Sequence, residues 1–521
     1  MTTLPQDRES TIIPAQSDGV TVLRRQAFLA ILVGLALRLV FAFRFPATAD
    51  DSATYIQLAQ NWIDHHVYGL WVNGHLVPTD LRPPGYPAFL AGVAMILGRT
   101  TRAIMLSQVV VDLGTCFLAA ALSAALAPVA ARRRVAMAAL WLAVTCPFVS
   151  NYSAVVLSEV LAAFLTTGAL LLFAAGLAPE ASEPVLTISN WRLTPLRLAL
   201  LGSFLTGLAT LVRPEMPLLF AVAGVTFALR WWKVLPFRKL VLNGVAMAGA
   251  FLLPVAPWAA RNLIVLHEVQ FLSPRYSTLP GEYATVGYFA WTNTWLERYR
   301  DVYLNIWKIG EEPVEIEDLP DEAFDSPQEK QQVAEVFQQY NSSPTLDISP
   351  EMDRVFARIA RERTGRNPLR TYVRVPFQRA LTLWFTPRTE LLPIDGKLRP
   401  IRDQWNDSHA AFLTTAGFAA LGYLYVALAL GGIWAVWRAG RAGGGAPKAQ
   451  GLPNLWGVGL LLAYLLARTA FLTTIEAPEP RYVVTCYPTL WALAALLCSR
   501  AAGNQARIDA DLPQRSSTGS G

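Results

Sequence analysis

The sequence predicts an all-α polytopic membrane protein of about ten transmembrane helices, each needing about 20 apolar residues to cross a bilayer. Three observations carry that prediction. Of the 521 residues, 53% are hydrophobic and 16% charged, and the mean hydropathy is +0.33, too apolar for a soluble chain of this size. Apolar runs of spanning or near-spanning length recur from end to end. The basic residues gather in short clusters between those runs, so the net charge of +6 reads as a topology signal, and no nucleic-acid partner is expected.

The runs fall at residues 26–45, 103–127, 135–150, 155–177, 196–212, 214–231, 239–258, 410–437, 455–474 and 482–499. With 1–25 as a cytoplasmic tail, Arg132-Arg133-Arg134, Arg192 with Arg197, Lys233 to Lys239, Arg438 to Lys448 and Arg500 all lie inside. Arg24-Arg25 and Ala47-Thr48-Ala49 flank the first run as in a cleaved leader. That run is long and carries Arg38 and Arg44, so an uncleaved anchor is expected. Alternation then divides the chain into a transmembrane module at 26–260, whose first outer loop is 46–102, an extracytoplasmic domain at 261–409, C-terminal transmembrane helices at 410–499 and a disordered cytoplasmic tail at 500–521. Gly443-Gly444-Gly445 has neither the preceding strand nor the following Lys-Ser/Thr of a phosphate loop and reads as a linker. Cys116, Cys146, Cys486 and Cys498 lie in or beside apolar runs, without metal-ligand spacing, and read as small packing residues.

In the first outer loop, Asp51, Tyr55, Leu58, Ala59 and Trp62 recur at helical spacing, which aims one of the two adjacent acids, Asp50 and Asp51, along a defined face. Trp71, Asn73 and Arg82-Pro83-Pro84-Gly85-Tyr86-Pro87 lead into 88–98, which is apolar but too short to span and reads as an interfacial helix. The segment 261–409 is long and mixed in polarity, so a small, mostly helical outer domain is expected. Its end, 369–385, alternates Arg370, Arg374 and Arg379 with Val373, Phe377, Leu381 and Trp384, the composition of a second interfacial helix.

Charged side chains at membrane depth are costly, so each needs a partner or a task. Arg38, Glu159, Arg213 and Arg481 all project toward the leaflet that holds Asp50 and Asp51. The functional reading is an outward cavity in which arginines hold a phosphate, whose oxygens match the planar guanidinium fork, and carboxylates do acid–base work. The structural reading is a set of buried pairs, Arg38 with Asp50 or Arg213 with Glu215. Convergence on one side favours the cavity. His65, His66 and His75 show no i, i+4 pair, so no metal ligand set is read; a divalent cation held by Asp51 with Glu159 is the one cofactor left open. Tyr55, Trp62, Tyr68 and Trp71 suit stacking on a sugar, and equally an aromatic belt at the membrane surface.

Six motifs in order resemble the GT-C membrane glycosyltransferases of the protein O-mannosyltransferase and aminoarabinose-transferase group. They are Asp50-Asp51-Ser52-Ala53-Thr54-Tyr55, Arg82-Pro83-Pro84-Gly85-Tyr86-Pro87, Leu157-Ser158-Glu159, Leu211-Val212-Arg213-Pro214, Pro257-Trp258 with Arg261-Asn262, and Glu479-Pro480-Arg481-Tyr482. The resemblance implies an acid after the first helix at the catalytic centre, four residues before an aromatic. Tyr55 maps that acid onto Asp51. The family's following Glu is Ser52 here, while Asp50 supplies a preceding acid, so the choice of base between Asp50 and Asp51 stays open. The resemblance further implies that Arg481, with Arg213 or Arg82, binds the phosphate of a polyprenyl-phosphate sugar donor, with Tyr482 beside it. The expected activity is inverting transfer to an extracytoplasmic hydroxyl of a lipid, glycan or protein acceptor, with Glu159 orienting the acceptor. The expected location is a bacterial plasma membrane with the site facing outward. A flippase for lipid-linked sugars would spread charges across the midplane and show repeated halves. A non-catalytic assembly subunit would have lost the acids.

Overall fold

The computed structural model describes residues 15–179, 187–188, 191–276, 278, 282–394, 396–442 and 453–499. Most of the N-terminal tail, the Gly443-Gly444-Gly445 linker and the tail at 500–521 therefore lie outside the described residues.

Every apolar run coincides with a helix. The first, α1 (Ala15–Arg44), crosses with its Thr21–Arg44 portion. The first outer loop then folds as α2 (Asp50–His65), the antiparallel strands β1 (Gly69–Val72) and β2 (His75–Pro78), and α3 (Gly85–Leu97). The hairpin is an addition to the helical expectation, and its cause is local: Asn73 (φ 50°) and Gly74 (φ 80°) take the left-handed conformations that a two-residue hairpin turn requires. Next come α4 (Thr101–Leu126), α5 (Arg132–Val144), α6 (Pro147–Ser150), α7 (Glu159–Gly176), α8 (Pro195–Val212), α9 (Pro217–Trp231) and α10 (Phe237–Arg261).

Beyond the first ten helices lies a helical lobe: α11 (Val286–Thr292), α12 (Tyr299–Val302), α13 (Pro327–Ser342) and α14 (Pro350–Arg366). It has its own core of Tyr288, Trp291, Trp295, Phe337 and Phe356. The chain returns through α15 (Val375–Phe385) and α16 (Ile401–Asp407) to α17 (His409–Ala442), α18 (Leu455–Leu472) and α19 (Tyr487–Ala495), the last preceded by a tight helical turn from Pro480 to Cys486.

Among the described residues, eight helices are long and apolar enough to cross a bilayer. The run at 135–150 is instead a pair of helices bent by 52° between Val144 and Pro147, where Pro147 interrupts the hydrogen-bond ladder. The run at 214–231 is shortened to α9 because Pro214 and Pro217 delay its start. Eight full spans, or nine if the bent pair crosses as one, together with the shorter α9, stand beside the expected ten or so runs of spanning or near-spanning length. The bundle interior is built on α4, α7 and α19, with Cys116, Ala119, Leu122, Ala162, Phe173 and Trp491 fully buried. The small Cys116, Ala119 and Ala162 let helices approach closely where no water drives them together, and the large Leu122, Phe173 and Trp491 fill the space between.

Both short amphipathic segments leave apolar side chains uncovered: Met95, Ile96 and Leu97 at the end of α3, and Leu369, Tyr372, Val373 and Phe377 along the approach to α15. Arg379 anchors α15 from its other side, donating to the carbonyls of Leu296 (2.8 Å) and Thr473 (3.2 Å). The lobe is thereby tied to the end of α18.

Candidate functional site

At one end of the bundle, beneath the lobe, lies a cavity of about 440 Å³. Asp51, Tyr55, Arg82, Glu159, Arg213, Arg481 and Tyr482, seven of the residues singled out in the sequence, all line it. Most reach it from the ends of elements, and Arg82 from the loop before α3. Asp51 stands in the first turn of α2 and Glu159 begins α7, where the partial positive charge of a helix N-terminus favours a carboxylate. The two starts are held together because the Ala47 amide donates to the Ala154 carbonyl at 3.0 Å.

Arg213 ends α8 with an extended backbone, φ −140° and ψ 118°, the conformation that the ring of Pro214 imposes on the residue before it. The chain turns there and sends the guanidinium inward. Arg82 is placed by its neighbours: the Tyr68 hydroxyl donates to its carbonyl at 2.8 Å. The following Gly85 packs so closely on α8 that a Cβ would sit 2.6 Å from the Leu211 carbonyl oxygen. Only glycine permits that approach, which brings the Arg82 and Arg213 segments together.

Two chains of ion pairs run from the cavity lining into the protein. In the first, Arg82 Nη2 meets Asp51 Oδ1 at 2.7 Å, Arg481 Nη1 meets Asp51 Oδ2 at 3.3 Å, and Arg481 Nε meets Glu479 Oε2 at 2.5 Å. The Tyr482 hydroxyl donates to Glu479 at 2.9 Å. In the second, Arg213 lies 3.0 Å from both Glu159 and Glu215, and Arg468 Nη2 shares Glu215 Oε1 at 3.0 Å. The Tyr482 ring stacks between the chains, with the Arg213 and Arg481 guanidinium carbons 5.6 and 5.5 Å from its centroid. Burial disfavours the charged form of Asp51, but Arg82 and Arg481 outweigh it and hold its carboxyl below the usual aspartate range. The same balance, with Arg213 and Arg468 winning over burial, lowers Glu215. One oxygen of Glu159, Oε2, is buried without a hydrogen-bond partner among the described residues.

Arg38 does not belong to this site, a correction to the sequence reading. It is fully buried within the bundle, where its Nε donates to Asp112 Oδ2 at 2.7 Å and its other nitrogens to the Gly34 and Val144 carbonyls and Cys116 Sγ. Its helical phase points it at α4 and the end of α5, and it staples these to α1. The partner is Asp112, not Asp50. The Asp50 side chain lies outside the described residues. Asp51 and Glu159 face guanidinium groups rather than each other across a shared ion, and among the described residues no group of three or more His, Cys, Asp or Glu side chains is arranged to hold a metal. Of the aromatic residues considered for stacking, Tyr55 alone reaches the cavity; Tyr68 and Trp71 brace the hairpin, Trp71 Nε1 donating to Asn61 at 3.2 Å.

Glu479, Arg468, Arg275 and Trp307 extend the site beyond the residues chosen from sequence. Arg468 carried the same signal as Arg38, a charge inside an apolar run. Trp307 and Arg275 carried none, because nothing in the polar outer segment marks which of its side chains returns to the membrane.

Fold and site together define a polytopic membrane protein with a polar, arginine-lined cavity at one membrane face. No protein-family model matches the chain, and no curated protein does. Among solved structures, the chain is similar to the Archaeoglobus fulgidus oligosaccharyltransferase AglB in complex with an inhibitory peptide and a dolichol-phosphate, at 14% identity over 94% of this chain and 52% of that one, with a TM-score of 0.46. It is also similar to ArnT from Cupriavidus metallidurans bound to undecaprenyl phosphate, at 14% identity over 94% and 79%, with a TM-score of 0.33. The chain spans about half the length of the archaeal protein. At these identities and scores the likeness assigns no activity.

Proposed function

We propose that the protein is an inverting glycosyltransferase that moves a sugar from a polyprenyl-phosphate donor to an acceptor hydroxyl on the extracytoplasmic side of a bacterial plasma membrane. The observation that carries this reading is the meeting of Asp51 and Glu159 with Arg82, Arg213 and Arg481 in one cavity at a membrane face. A lipid-linked sugar needs cations for its phosphate and a base for the incoming hydroxyl, next to an apolar surface for the polyprenyl chain, and the uncovered sides of α3 and α15 offer such surfaces at the bundle edge.

In the proposed step, Asp51 takes the acceptor hydroxyl proton as the oxygen attacks the anomeric carbon from the face opposite the phosphate. The carbon–oxygen bond to the phosphate breaks, and its electron pair leaves on the polyprenyl phosphate. Arg481 and Arg82 stabilise the charge that develops there. Glu159, with one carboxylate oxygen unpartnered, orients the acceptor.

The test uses membranes from an overexpressing strain supplied with radiolabelled polyprenyl-phosphoryl sugars, together with mass spectrometry of envelope glycans from a deletion strain. The expected result is label transferred to an envelope component and loss of one sugar from the glycans of the deletion strain. Neither change in any envelope fraction would refute the assignment.

A further inference from the structure

The wall of the cavity opposite the bundle comes from the segment leading into the lobe and from the lobe itself: Ser273, Arg275 and Trp307 line the same space as Asp51 and Arg481. We propose that these three side chains form a saccharide subsite that holds the pyranose ring of the donor while Arg481 and Arg82 hold its phosphate. The proposal rests on the reading of the site given above and names the part of it that selects the sugar.

Trp307 is 36% exposed, whereas Trp291 and Trp295 of the same lobe are 0% and 2% exposed. Its indole is fixed by the rings of Tyr299 and Tyr303, whose centroids lie 5.9 and 5.7 Å away at steep angles. A large apolar ring held rigid at a polar cavity, with no shell of its own to fill, suits the C–H face of a sugar. Ser273 Oγ is buried with no hydrogen-bond partner among the described residues, a costly state that a ligand hydroxyl would relieve.

Arg275 is pre-oriented. Its Nη2 donates to Glu476 Oε1 at 2.7 Å and to the Thr474 carbonyl at 3.1 Å, its guanidinium lies over Tyr276 at 5.3 Å, and the Tyr276 hydroxyl donates to the same Glu476 oxygen at 2.9 Å. A hydrocarbon tail has no use for an unpaired hydroxyl and a guanidinium. On the reading above, the phosphate already meets Arg481 and Arg82. A sugar needs an aromatic face and hydrogen-bonding groups around its rim, and as one bond joins it to the phosphate it must lie in this cavity, whose volume falls in the range of about 300–1,000 Å³ usual for small-molecule sites.

The experiment measures dissociation constants of the full-length protein in nanodiscs for undecaprenyl phosphate and for undecaprenyl-phosphoryl mannose, glucose and arabinose. At least one sugar-bearing lipid should bind more tightly than undecaprenyl phosphate. Trp307→Ala should cut that preference by about tenfold, equivalent to about 1.4 kcal/mol, with most of it restored in Trp307→Phe and a smaller loss in Ser273→Ala. Affinity for undecaprenyl phosphate itself should not move. A wild-type protein with no preference among the four lipids, or a Trp307→Ala loss equal for all four, would overturn the subsite. If Trp307→Ala does not fold, an unchanged preference in Ser273→Ala overturns it. Failure of undecaprenyl phosphate to bind at all would instead remove the proposed function beneath it.

Discussion

Replacing Asp51 by Asn changes almost no volume but removes the negative charge that two guanidinium groups share. The amide oxygen can still accept from Arg82, now at 2.7 Å from Oδ1, while the new amide N–H₂ faces Arg481, now at 3.3 Å from Oδ2. Three effects follow and differ in size. Loss of the proton acceptor should lower the transfer rate by about 10²–10⁴-fold. The side chains of Arg82, Asp51 and Arg481 are 30%, 25% and 20% exposed, between a surface pair worth about 0–1 kcal/mol and a buried pair whose breakage costs about 3–5 kcal/mol. The stability loss should therefore be about 1–2 kcal/mol, too small to unfold the bundle. Donor binding should tighten by about fivefold, about 1 kcal/mol, because Asp51 no longer competes with phosphate for Arg481. Single-turnover transfer in proteoliposomes and donor titration of the same preparation separate these quantities. Transfer within tenfold of wild type in both Asp51→Asn and Asp50→Asn, or a loss explained by weaker donor binding, would refute the reasoning.

Arg481→Ala should raise the donor KM by at least about tenfold, the scale of a charge-assisted phosphate contact, and Arg481→Lys should restore little, since an ammonium lacks the planar fork; an unaltered donor dependence removes the phosphate role. Asp51 is held low by Arg82 and Arg481, so its charge adds stability above the ordinary value of 3.8 and that gain disappears as pH falls through its lower folded value. Drawing Arg481 onto the donor should raise the Asp51 pKa, so the acidic limb of kcat should lie at higher pH than that of kcat/KM, and coincident limbs would contradict the displacement. Asp112→Ala should destabilise the fold by about 3–5 kcal/mol by stranding Arg38, while Arg38→Met with Asp112→Leu should be near neutral; a donor KM shift in the double variant would return Arg38 to the site. Ser342→Cys, on the exposed end of α13, should react with an impermeant maleimide from outside intact cells, and labelling from the cytoplasm alone would invert the topology.

The site was legible where a single physical rule forces the issue. A charge at the end of an apolar run must be paired or used, and that rule found Glu159, Arg213 and Arg481, which the structure gathers in one cavity. Applied to every run it also marks Asp112 and Arg468, and Asp112 would have redirected Arg38 to its partner. What the rule lacks is helical phase in a bundle: Arg38 and Arg481 are equally anomalous in sequence, and only the packing of α1 on α4 separates them. The Asn73-Gly74 turn was written in the first outer loop but lost beside its aromatic residues. The lobe was legible as helical and no further. Which of its many aromatic side chains would return to the membrane depends on tertiary placement alone, so Trp307 could not be told from Trp291 or Trp295.

From the cavity lining inward the charges alternate: Arg82, Asp51, Arg481 and Glu479 in one chain, Glu159, Arg213, Glu215 and Arg468 in the other. The two chains hold as many carboxylates as guanidinium groups, so a phosphate must compete with the carboxylates for these cations. Three of the four acids are firmly held. Glu159, Glu215 and Glu479 have side chains 3%, 10% and 4% exposed; Glu215 is shared by two arginines, and Glu479 also receives the Tyr482 hydroxyl. Asp51 is 25% exposed and its contact with Arg481 is the longest in its chain, so Asp51 is the carboxylate that yields. On the proposed reading, the entry that delivers the sugar also strips the base of one of its two cations and raises its affinity for the acceptor proton. Without donor, Asp51 stays paired and a weak base, and the site has no means of activating a hydroxyl before the sugar is in place.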